Sequence, residues 1–92
     1  MKMNGIEIKF TPQERDLIID HTFTGPDLTK RLQIAEIKGK YLIVKYSTYD
    51  IDELIGFIAA EANHTDDKKI GKKLDRLFER LTRILEKEID NQ

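Results

Sequence analysis

Cysteine is absent from this chain, which removes disulfides, thiolate metal sites and a cysteine nucleophile from consideration. A small fold without covalent staples suits a reducing compartment, so a cytoplasmic location is the expectation. No apolar stretch approaches the ~20 residues of a membrane-spanning helix. The opening segment Met1-Lys2-Met3-Asn4-Gly5-Ile6 returns to charge at Glu7, so neither a signal segment nor a membrane association is expected. The five glycines, at positions 5, 25, 39, 56 and 71, are isolated from one another. That spacing excludes dinucleotide-binding and P-loop fingerprints, which need clustered glycines to bring backbone amides against phosphates. A formal net charge of −1 supplies no global field toward nucleic acid or anionic lipid. Internal repeats, low-complexity tracts and linker-like stretches are also missing, so one domain covering residues 1–92 is expected.

Within 92 residues, 39% are hydrophobic and 36% charged, a charge-rich but globular composition. Ile6, Ile8 and Phe10 alternate with Glu7 and Lys9, the period of two that marks a strand with one buried face. Thr11-Pro12-Gln13-Glu14 then combines a cap, a proline at the first helical position and a returning glutamate. The helix it starts carries Leu17, Ile18 and Ile19 and is predicted to end near His21 or Thr22. Gly25-Pro26-Asp27 signals a turn, followed by a helical turn or irregular chain over 27–31.

Residues 32–38 and 40–47 flank Gly39 and read as a β-hairpin, with Leu32, Ile34 and Ile37 on its first strand and Lys38-Gly39-Lys40 as the connection. In the second strand Tyr41, Ile43 and Lys45 alternate with Leu42, Val44 and Tyr46. Apolar residues on both sides place that strand centrally in the sheet. Asp50-Ile51-Asp52-Glu53 offers a second capping box, opening a helix with Ile51, Leu54, Ile55, Ile58 and Ala62 at helical spacing. Its small residues Gly56, Ala59 and Ala60 would permit a close neighbour. Asn63 to Asp66 forms a break, with Thr65 or Asp66 capping the last helix. The expected fold is α+β, a small three-stranded, mainly antiparallel sheet packed against helices in the order β-α-β-β-α-α.

The last helix is the most informative feature. Ile70, Leu74, Leu77, Leu81 and Ile84 recur at alternating spacings of four and three, and Phe78 and Leu85 widen the stripe. Spanning positions 67–89, it would be about 34 Å long, against a diameter of roughly 32 Å for a compact domain of this size. One small sheet and two shorter helices need not cover all of it. Leu74, Leu77, Phe78, Leu81, Ile84 and Leu85 are therefore the candidate interaction surface for a protein partner or for self-association. Gly71 and Thr82 are the points where such a helix would break. Lys69, Lys73, Arg76, Arg80 and Arg83 each precede a stripe position by one residue, and Lys87 continues the same spacing, so the six line one flank. Such a line of cations could follow a phosphate backbone. The same helix carries many acids and no aromatic platform, so nucleic acid is an alternative partner, not the favoured one; solvated lysine and arginine stems covering apolar surface, or pairing with Asp50, Asp52, Glu53 or Glu61, account for the flank more economically.

The remaining chemistry is sparse. Glu61 and His64 stand three residues apart on one helical face, a spacing that dinuclear metal bundles use in duplicate and that occurs here once. Asp20 and His21 would have to converge on them. With Asn63, they form a candidate polar contact site at a helix–helix corner. A triad assembled from Ser47, His64 and Asp66 has no nucleophile-elbow context. No catalytic residue, metal or cofactor is implied. The expectation is a non-enzymatic protein-interaction module or accessory subunit acting through the C-terminal helix. The alternatives are a nucleic-acid-associated accessory protein using its basic flank and a small metal-dependent enzyme using Glu61 and His64.

Overall fold

A computed structural model describes residues 5–22 and 24–90. Its elements are β1 (Ile6–Phe10), α1 (Pro12–His21), α2 (Pro26–Ile34), β2 (Ile37–Lys38), β3 (Tyr41–Tyr46), α3 (Thr48–His64) and α4 (Lys68–Asp90). The three strands form an antiparallel sheet in the order β1-β3-β2. The fold is therefore α+β with β3 central and a long C-terminal helix, as the patterning implied.

Local chemistry accounts for most boundaries. At the start of α1 the Glu14 N–H donates to Thr11 Oγ1 (3.1 Å) and the Thr11 N–H donates to Glu14 Oε1 (2.9 Å), a complete capping box. The same reciprocal pair opens α3, but one turn earlier than the Asp50-to-Glu53 pattern predicts. Ser47 is the cap, and Asp50 is the returning carboxylate, with both bonds at 3.0 Å. Asp67, one or two residues beyond the expected cap, receives the Lys69 and Ile70 N–H groups at the start of α4 (2.9 and 3.1 Å). From there α4 runs through Gly71 and Thr82 unbroken.

One segment departs from the expected hairpin. Residues 32–34 close α2 and leave β2 only two residues long. Leu28 and Leu32 are both buried and lie one helical turn apart, so the helix places them together on the side that meets the core. Ile34 falls at the helix end and stays exposed. The turn itself is the predicted one. Gly39 has φ +65°, and no non-glycine residue among those described has positive φ. That places glycine at the first central position of a two-residue loop, the type II′ pattern suited to twisted strands.

The core lies between the sheet and the helices. Ile8 and Phe10 of β1, and Leu42, Val44 and Tyr46 of β3, meet Leu17, Ile18, Leu28, Leu32, Ile51, Leu54, Ile58, Leu74, Leu77 and Leu81. The Tyr46 hydroxyl enters this core because it donates to the Leu28 carbonyl oxygen (2.8 Å); without a partner its burial would be costly. Burial, with the Asp50 and Asp27 charges, pushes the Tyr46 phenol well above the usual tyrosine range, although Arg31 opposes the shift. Gly56 and Ala60 face solvent, and a Cβ built at Gly56 meets nothing within 4 Å. The small residues of α3 are thus not all gathered at its contact with α4. The molecule measures 43 × 28 × 23 Å; its long dimension is of the order of α4's ~34 Å length.

Candidate functional site

The polar residues singled out from sequence do not assemble into a centre. Glu61 is half-buried, and Asn63 and His64 are exposed on the last turn of α3. The Thr65 N–H closes the helix on the Glu61 carbonyl (2.9 Å), and His64 sits where the helix dipole favours a cation. Asp20 and His21 end α1 and share a groove with Ile70 and Lys73 of α4. Among the described residues, no group of three or more His, Asp or Glu side chains could hold a metal ion. Ser47 caps one end of α3 and His64 closes the other, 17 residues later, a separation of roughly 25 Å that keeps them from acting together.

Tertiary packing divides the stripe on α4. Leu74, Leu77 and Leu81 are in the core, while Phe78, Ile84 and Leu85 are half-buried against its rim. The three-residue connection between α3 and α4 makes them antiparallel neighbours. With 17 residues against 23, α3 is the shorter, and the final turns of α4 extend past it. Ile89 there is 56% exposed.

The basic flank is divided as well. Lys69, Lys73, Arg76, Arg83 and Lys87 are exposed. Arg80 is held: its Nη2 donates to both carboxylate oxygens of Glu14 (2.9 Å each), its Nη1 donates to the Lys9 carbonyl (3.0 Å), and its guanidinium lies 5.6 Å from the Phe10 ring centroid. This cation joins α4 to α1 and β1 through Glu14, a partner outside the acids of α3 considered above.

A surface that sequence patterning did not single out lies on the other side of the sheet. Residue pairing sets Glu7 beside Lys45, Lys9 beside Ile43, and Lys38 beside Tyr41. Because side chains alternate between faces, these six share the face opposite Ile8, Leu42 and Val44. All six are exposed except that Tyr41 and Ile43 are only partly so, at 45% and 37%. The Lys9 Nζ lies 5.8 Å from the Tyr41 ring centroid, and the hairpin turn adds Lys40. Glu7 is the acid among these six, and its Oε2 is 4.0 Å from the Lys45 Nζ. Beyond one end of the face, Thr11, Pro12, Gln13, Lys40 and Tyr41 line a shallow groove. The available signal was the alternation that made β3 apolar on both sides: one side seals the core and the other remains open.

Compared with known proteins, the chain matches no protein-family model, no curated protein and no solved structure.

Proposed function

We propose that this chain is a non-catalytic binding module that docks an anionic macromolecule on the open face of its sheet. The observation that supports it is one juxtaposition: partly exposed Tyr41 and Ile43 beside Lys9, Lys38, Lys40 and Lys45, with Glu7 paired to Lys45. Aromatic and aliphatic groups supply contact area at low entropic cost, and the cations supply attraction for an anionic partner. Like charges facing each other would disfavour a second copy on the same surface. A heparin column tests this with two charge-matched variants. Paired substitution of Lys9→Glu and Lys38→Glu is expected to move elution to distinctly lower salt. Arg83→Glu with Lys87→Glu on α4 is expected to retain most of the binding. Equal losses, or no retention of the unaltered protein at low salt, would refute this assignment.

A second reading keeps the interaction surface on α4. It is favoured by Ile89, exposed where α4 outruns α3, together with half-buried Ile84 and Leu85. In that reading a protein partner or second copy covers the final turns, and Phe78, Leu74, Leu77 and Leu81 serve the core behind them.

A further inference from the structure

Resting on the assignment of the open sheet face, we infer that its occupant is single-stranded nucleic acid, held by stacking of a base on Tyr41 with phosphates tracked by Lys9, Lys38 and Lys40. Three features converge. Tyr41 is the aromatic ring on this face, and it also lines the groove formed with Thr11, Pro12, Gln13 and Lys40. A flat base can enter beside that ring, where the exposed Gln13 amide offers both a donor and an acceptor to a base edge. The Lys9 ammonium lies over the ring, 5.8 Å from its centroid, so an arriving base takes that face of the ring and moves the cation to its edge, within reach of a phosphate. Lys38 sits opposite Tyr41 in the register and Lys40 adjoins it through the turn, which distributes charge on both sides of the ring.

Single strands suit this geometry better than a duplex. The face is three strands wide, about 10 Å from the first strand to the third. Stacking on a fixed ring needs a base whose π-face is free, and a duplex keeps its bases stacked on each other. An acidic peptide would satisfy the lysines but leave the ring and its groove without a planar partner.

The test is fluorescence anisotropy of a labelled single-stranded oligonucleotide of about ten nucleotides, a length within the range of single-strand sites. The matching duplex and a labelled polyglutamate run beside it. The single strand is expected to bind about tenfold more tightly than either, with affinity falling steeply as salt rises. Tyr41→Ala is expected to weaken it about tenfold, and Tyr41→Phe to retain it; circular dichroism melts confirm that both variants are folded. Equal affinity for polyglutamate, or indifference to Tyr41→Ala, overturns the nucleic-acid inference while leaving an anion-docking face. Loss of heparin retention as well would remove the underlying assignment with it.

Discussion

The two faces of the sheet are built from the same strands and have opposite fates. On the inner face Ile8, Phe10, Leu42, Val44 and Tyr46 are no more than 4% exposed, because all four helices contribute to the layer above them. On the outer face the intervening residues are Glu7, Lys9, Tyr41, Ile43 and Lys45, open to solvent. Strand alternation alone produces the division into two sets. What differs is cover. The inner set sustains the fold, and the outer set is free to vary in chemistry without disturbing it. Stability and binding should therefore separate by parity along β1 and β3.

The strongest way to break that comparison is a large truncation on the inner face. Phe10→Ala removes a fully buried ring and is expected to cost about 3–5 kcal/mol. That is a large share of the 5–15 kcal/mol typical of a small domain. Urea denaturation should show a partly or wholly unfolded variant; a midpoint near that of the unaltered protein would mean that the inner face does not sustain the core.

A middle-sized effect is expected at the rim of the covered side. Arg31 of α2 donates through Nη1 to Asp50 Oδ2 (2.8 Å) and through Nη2 to Asp27 Oδ2 (2.9 Å), and lies 5.6 Å from the Tyr46 ring centroid. Burial would raise the Asp50 carboxyl, but hydrogen bonds from Ser47 and Arg31 outweigh it and hold the group below its usual range. A carboxyl with a depressed folded-state pKa adds stability above its unfolded value, near 3.9. That contribution is lost as pH falls through the lower folded value. Asp50→Asn should cost about 1 kcal/mol at neutral pH, with the two proteins converging in stability below about pH 4. Thermal melts across pH check both statements; a difference that persists unchanged in acid would locate the contribution outside the carboxylate charge.

The smallest effect belongs to the open face. Ile43→Thr keeps β-branching and removes little buried surface, so stability should stay within about 0.5 kcal/mol. A larger loss in denaturant titration would indicate that the outer face is covered in solution, most simply by another copy.

Much of the fold was legible from neighbouring residues alone. The Thr11–Glu14 box, the alternation of β1, the Gly39 turn and the long stripe of α4 are local patterns, each settled within a few residues by hydrogen bonding or periodicity. The segment at 32–36 was less legible because Leu32, Ile34 and Ile37 fit a strand while Leu28 and Leu32 fit a helix; a window this short supports both periods. The start of α3 was placed one turn late because the Asp50–Glu53 pattern overlaps the Ser47–Asp50 pair that forms the box. Of the candidate surfaces, the stripe and basic flank on α4 were visible as periodicities, but their accessibility was not.

Local sequence thus determined that α1, α3, α4 and the Gly39 turn form, since caps, dihedral preferences and apolar spacing act over one or two turns of chain. Only tertiary packing decided that Arg80 would be tied to Glu14, 66 positions away, that half of the α4 stripe would vanish into the core, and that Tyr41 and Ile43 would stay uncovered. Burial depends on where distant elements come to rest, and a two-sided apolar strand reads the same whether one of its faces is covered or both.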